Sequence, residues 1–174
     1  MDGDILPLRD ALLAWFSGVE SCAVALSAGV DSAVVAKAAH LALGDRSVAV
    51  TGASDSLASG ELEEAQSLAR LIGIRHQILA TREFEKPDYL RNAPDRCYHC
   101  KTELYEQMHA SAAQLGVAML VNGLNADDLG DYRPGIQAAR EHQVRSPLAE
   151  CGITKAQVRR LAEHWGLPIW DKPA

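Results

Sequence analysis

No stretch of the sequence approaches the roughly 20 apolar residues that a membrane-spanning helix needs, so no membrane association is expected. The opening "MDGDILPLRD" is acidic and lacks the basic start and apolar run of a secretory signal. Cysteine is scarce. Four among 174 residues make no disulfide framework, which points to a reducing cytoplasm. Basic charge is short too: the formal net charge of −6 works against a non-specific grip on nucleic acid. Repeats and low-complexity segments are absent. Neither the Walker A pattern G-x-x-x-x-G-K-[ST] nor the calcium-loop pattern D-x-[DN]-x-[DN]-G occurs.

What the chain does have is enough apolar sequence, 48% of it, for one well-buried core. Short runs at 22–26, 47–52, 76–81 and 118–123 are hydrophobic on both faces, as buried parallel strands are. Longer stretches with helical period separate them. Residues 60–72 place Leu62, Ala65, Leu68, Ala69 and Ile72 on one side, with Ser59 as N-cap and Gly73 as the stop. Residues 155–165 align Val158, Leu161, Ala162 and Trp165, with Thr154 and Gln157 as a capping box and Gly166 as the stop. Another helix, near 7–17, precedes the first strand. The alternation predicts an α/β fold: one domain over 1–174, a doubly wound parallel sheet of about five strands with helices on both faces.

Ligands of such sheets sit beyond the carboxyl ends of the strands, where the winding reverses. The segment Ser27-Ala28-Gly29-Val30-Asp31-Ser32 follows the first strand and opens a helix at that place. Free backbone N–H groups and the helix dipole favour an anion there. Gly29 lets the backbone turn without a Cβ, and the hydroxyls of Ser27 and Ser32 add donors. Asp31 would repel a phosphate unless a divalent cation lies between them, or unless it positions a water or a lysine. The competing assignment has Ser27 capping the helix and Asp31 complementing its dipole.

A second segment, "VNGLNADDLGDYRPG" (121–135), follows the fourth strand, which is expected beside the first. It gathers Asn125, Asp127, Asp128, Asp131 and Arg133. Carboxylates this close either share a hard cation such as magnesium or form a solvated acidic turn. Gly123 is expected to contact nucleotide, Asn125 and Arg133 substrate, and Asp127 and Asp128 a metal.

The stretch Ser27–Ser32 resembles the S-G-G-x-D-S signature of the PP-loop family, the N-type ATP pyrophosphatases, with Ala28 in place of the first glycine. Alanine tolerates that geometry unless a positive φ is required. Further segments, "RCYHCK", "NADDLGDYRPG", "SPLAE", "TKAQVRRLA" and "WDKPA", are similar to one branch of that family, the LarE-like sacrificial sulfur transferases of nickel-pincer nucleotide cofactor synthesis. The resemblance spans essentially the whole chain. It implies a HUP-type (adenine nucleotide alpha hydrolase-like) sheet, ATP and Mg2+ as cofactors, and nucleotide contacts from residues 27–32, Gly123 and Lys172. Asp31 and Ser32 become the catalytic pair.

The activity implied is adenylation of a carboxylate on a pyridinium dicarboxylate mononucleotide, with release of pyrophosphate. A protein cysteine then attacks the acyl-adenylate and gives up its sulfur as a thiocarboxylate. In the family that cysteine follows "WDKPA", at which this chain ends, so the C-terminal region is expected to lie outside it. The implied partners are a small nucleotide substrate and, for the full-length family, further copies of the same chain. Membrane and nucleic-acid partners are not expected. Two alternatives stand beside this: another PP-loop enzyme that thiolates or amidates a substrate such as tRNA, and an ATP-binding module without catalysis.

The cysteines present are expected to do other work. Cys22 lies in the first strand and belongs in the core. Cys151 precedes a helix start, where a thiolate is favoured, or is a small loop residue. Cys97 and Cys100 form a lone C-x-x-C, two ligands where a metal site wants four. His40, His142 and His164 fit surface or interface positions in helical patterns, and Trp15, Trp165 and Trp170 fit packing anchors.

Overall fold

Every position of the first strand, β1 (Cys22–Ala25), is buried. Cys22 and Val24 enter one core, Ala23 and Ala25 the other. This two-sided burial explains why the sequence is apolar without alternation. In this computed structural model, which describes residues 5–27, 29–53, 60–80, 96–130 and 143–171, β1 pairs in parallel with β2 (Ser47–Ala53) and with β4 (Met119–Val121). β3 (Arg75–Ala80) pairs in parallel with β2, giving the order β3-β2-β1-β4. Val24 lies opposite Ala49 on one side and Val121 on the other. The winding therefore reverses between β1 and β4, and the expected crevice opens there.

Among the described residues the sheet has four strands, and a single bridge stands beside β4. Arg145 pairs in parallel with Val121, its N–H donating to Leu120 O at 2.9 Å while its carbonyl accepts from Asn122 N–H at 2.9 Å. Pairing stops there because Pro147, which has no N–H to offer, opens a short helix two residues later.

Four helices pack on one face of the sheet: α1 (Ile5–Ser17), α2 (Val30–Leu43), α3 (Glu61–Ile72) and the last, Lys155–His164. The other face is covered by α4 (Arg96–Leu115), whose Tyr105 and Met108 pack with Ala23, Ala25, Val48 and Val50. The four-residue helix Pro147–Glu150 is α5 and Lys155–His164 is α6. Nine residues of α2 are buried, because it lies between the sheet and its neighbours; its Ala- and Val-rich sequence suits an enclosed helix.

The capping box of α6 forms as expected. Thr154 Oγ1 accepts from Gln157 N–H at 3.3 Å, and Gln157 Oε1 accepts from Thr154 N–H at 2.9 Å. Gly73, at φ 87°, closes α3 with its N–H on Ala69 O. The start of α3 differs: its N-cap is Gly60, at φ 95°, and Ser59 lies outside the described residues. Trp165 caps the end of α6 and is partly buried, whereas Trp170 is 40% exposed in the turn after α6, where its carbonyl accepts from Arg159.

Candidate functional site

The phosphate nest is built from two serines that bond each other. Ser27 N–H donates to Ser32 Oγ at 3.0 Å, the two hydroxyl oxygens lie 3.1 Å apart, and Gly29 N–H donates to Ser27 Oγ at 3.1 Å. Ser32 is 5% exposed, so its hydroxyl is an internal strut of the loop. Ser27 does not cap α2. The N-cap is Gly29, without a side-chain hydrogen bond, and the first intrahelical bond runs from Ala33 N–H to Gly29 O. The amides of Val30, Asp31 and Ser32 are thereby left without an intrahelical acceptor at the positive end of the helix. Gly29 has φ −87°, open to any residue. Its lack of a Cβ matters for space, since one would stand 3.3 Å from Ser27 Oγ.

The strand end opposite closes tightly over this turn. A Cβ at Gly123 would lie 2.7 Å from Ser32 N, 2.9 Å from Ser32 Cα and 3.0 Å from the Asp31 carbonyl carbon. Only glycine lets the loop after β4 reach the first turn of α2. Asn122, 8% exposed, holds that loop in place. Its Oδ1 accepts from Ser146 Oγ at 2.8 Å and from Leu124 N–H at 3.1 Å, and its Nδ2 donates to Tyr105 OH at 3.3 Å.

Asp31 is where the two loops meet. Its Oδ2 accepts from Lys155 Nζ at 3.0 Å and from Asn125 Nδ2 at 3.3 Å, while its Oδ1 is buried with no partner among the described residues. The lysine that the sequence left open as one explanation of Asp31 is thus Lys155, the first residue of α6. Pattern reading missed it, because a lysine in the first turn of an amphipathic helix fits a solvated position. Its signal was the quoted "TKAQVRRLA". Asn125 is 2% exposed, with its side-chain oxygen accepting from Asp127 N–H at 2.9 Å and Asp128 N–H at 3.1 Å. Asp127 Oδ2 accepts from Lys155 N–H at 2.9 Å, and Asp128 Oδ2 from Asn125 N–H at 3.1 Å. Asp127 therefore takes an amide at the start of α6 and Asp128 one in its own turn, and among the described residues no three His, Cys, Asp or Glu side chains are grouped to hold a metal ion. Ala28, Asp131, Arg133 and Lys172 lie outside the described residues.

The end of β1 is pinned from its other neighbour. Thr51 Oγ1 donates to Leu26 O at 2.8 Å and lies 2.7 Å from His76 Nε2. The hydroxyl proton is committed to Leu26, so His76 presents its Nε2–H. Burial pushes the His76 pKa below its usual 6.5 and keeps the ring neutral.

Cys22 is fully buried, and burial pushes its thiol up to about 12. Cys151 does not stand at a helix start. It follows the last residue of α5, four residues before α6 begins, and burial first, then Glu150, raise its pKa. Glu150 itself is held ionised by Arg145, whose guanidinium also lies over the Trp15 ring, with Cζ 5.3 Å from the ring centre. Cys97 and Cys100 fall in the first turns of α4, and their side chains lie outside the described residues, as does His142.

No family model matches the chain. Among curated proteins, it is 48% identical to an uncharacterised protein of Synechocystis over 92% of this chain and 60% of that relative. It is 36% identical to the pyridinium-3,5-bisthiocarboxylic acid mononucleotide synthase of Lactiplantibacillus plantarum, over 95% of this chain and 60% of the synthase. A tRNA-specific 2-thiouridylase MnmA of Rickettsia felis is 28% identical over 86% of this chain and 51% of that enzyme. The chain thus spans about 60% of the length of the first two relatives. Two solved structures share the fold: an NH3-dependent NAD synthetase of Campylobacter jejuni (TM-score 0.74, 15% identity, 95% of this chain and 75% of that one) and an NMN synthetase of Francisella tularensis (TM-score 0.72, 20% identity, 95% and 73%). The shared fold and the sequence relationships agree, and the chain belongs to the PP-loop ATP pyrophosphatase family, on its LarE-like branch.

Proposed function

We propose that this chain uses ATP to adenylate a carboxylate of a pyridinium dicarboxylate mononucleotide, releasing pyrophosphate, within a cytoplasmic, homo-oligomeric full-length protein. The substrate class follows the 36% identity to the Lactiplantibacillus synthase. The observation that carries the chemistry is the enclosure of the first turn of α2 by the backbone at Gly123. Three amides that lack helical acceptors, the bonded pair of exposed Ser27 and buried Ser32, and the Lys155 ammonium converge at a switch point, where leaving pyrophosphate needs charge already in place. Positioning of the carboxylate against the α-phosphate supplies the other large contribution. Gly123, Lys172 and the backbone of residues 27–32 contact nucleotide, while Arg133 contacts the substrate.

The residues fit magnesium at one point. The buried, unpartnered Oδ1 of Asp31 is a hard anionic oxygen of the kind that Mg2+ takes together with nucleotide phosphates. Asp31 would hold the ion, with Asp127 and Asp128 as further candidates. Bound there, magnesium offsets phosphate charge.

Sulfur transfer belongs to the full-length protein. A cysteine thiolate beyond this segment attacks the acyl carbon of the adenylate and AMP leaves. A base then takes the cysteine Cα proton, the Cα=Cβ bond forms and the Cβ–S bond breaks, leaving dehydroalanine and a thiocarboxylate product. The test is pyrophosphate release from magnesium-ATP and the dicarboxylate nucleotide, together with intact mass. Asp31→Ala and Ser32→Ala are expected to abolish release while the protein stays folded, and the parent is expected to lose the mass of one hydrogen sulfide per turnover. Unchanged release in either variant would contradict the assignment.

A further inference from the structure

Asn125 makes three hydrogen bonds from within the site, as many as Asn122 makes beside it. Its oxygen receives two backbone N–H groups, its amide donates to Asp31 Oδ2, and it is 2% exposed. The amide orientation follows from chemistry: turned over, its amide nitrogen would face two N–H donors and its oxygen would face a carboxylate. Three hydrogen bonds inside the protein and 2% exposure enclose Asn125 within the site rather than at its surface. We infer that Asn125 is a positioning residue. Its carbonyl caps the Ala126–Gly130 turn, and its amide braces Asp31 so that, with Lys155 on the same oxygen, Oδ1 alone stays free. This rests on the proposed function only for its catalytic consequence; the brace itself is a property of the protein without ligand.

The two ends of Asn125 can be tested separately. Asn125→Asp keeps an oxygen for the Asp127 and Asp128 amides and replaces the NH2 group, with its donor to Asp31, by an oxygen, setting two carboxylates side by side. In the full-length protein this substitution is expected to lower the melting temperature by about 3–6 °C. In an Asp31→Asn background, where an amide at position 31 restores a donor, it is expected to lower it by less than half as much. Equal losses in both backgrounds, or failure to fold in both, would overturn the brace and leave Asn125 as a turn cap alone. With magnesium-ATP and the dicarboxylate nucleotide, Asn125→Asp is expected to reduce kcat by about tenfold or more, with KM for the dicarboxylate unchanged within about twofold. A raised KM at unchanged kcat would instead make Asn125 a substrate contact. If the parent protein releases no pyrophosphate, the proposed function fails, and the melting cycle still decides the brace.

Discussion

The ammonium of Lys155 stands 3.0 Å from Oδ2 of Asp31, joining residues 124 positions apart in the chain. The same lysine offers its backbone N–H to Asp127. One residue at the start of α6 therefore touches both the nest and the acidic loop, and the packing of α6 against α2 sets its height. The pair is about one-quarter exposed on each side, so its charge is only partly screened, and a ligand can reach it.

Lys155→Met is expected to reduce pyrophosphate release by about 10²–10³-fold, the usual loss when a donor facing developing charge is removed. The stability cost is expected to be small, about 1 kcal/mol, because both partners keep solvent contact. Steady-state kinetics beside urea unfolding checks both. Full activity would remove Lys155 from the site.

Gly123→Ala tests the enclosure of the nest. The new methyl would meet Ser32 N at 2.7 Å, and the contact is with backbone, so a side chain cannot swing aside to relieve it. Overpacking of this kind costs about 1–3 kcal/mol. Nucleotide affinity should fall more than stability, since relief comes by moving the turn that holds phosphate. Isothermal titration with a non-hydrolysable ATP analogue measures it, and wild-type affinity would contradict the close approach.

Much of this was legible in the sequence where local chemistry decides it. The two-sided apolar runs became β1, β2 and β4, the Thr154–Gln157 box formed, and Ser27–Ser32 arrived between strand and helix as its spacing implied. What depends on distant packing was not legible. Lys155 gains its meaning only when α6 lies on α2, and Gly123 looks like an ordinary turn glycine until Ser32 is brought against it. The four apolar runs match the four strands of the described sheet, and beyond β4 the described residues add only the bridge at Arg145, in a stretch with no apolar run to announce it. Of the two readings of Cys151, the loop position holds: it lies in the turn between α5 and α6.

Stability should depend on pH through His76. Burial lowers its pKa in the folded protein below 6.5, so the unfolded chain binds the proton more readily. Stability is therefore fully present above about pH 6.5 and falls as pH drops toward the folded pKa. His76→Gln, which keeps a donor for Thr51, should show a smaller loss between pH 7.5 and 5.5 in urea unfolding. An identical loss in both proteins would exclude His76 as a source.

Neither Cys22 nor Cys151 has the character of a sulfur donor. With a pKa of about 12, Cys22 is thiolate at about one part in 10⁴ at pH 8. Iodoacetamide at pH 8 should leave it unmodified in the native protein and label it in guanidinium, as mass spectrometry of the peptides will show. Native labelling of Cys22 would contradict its burial.

The most direct measurement follows one oxygen atom. The full-length protein is given magnesium-ATP and a dicarboxylate nucleotide whose carboxylate carries 18O, and the AMP formed is weighed. Adenylation at the Ser27–Ser32 nest predicts AMP that has gained one 18O, because the carboxylate oxygen attacks the α-phosphorus and stays with it when sulfur displaces the adenylate. AMP without label, or ADP in its place, would contradict carboxylate adenylation at this site.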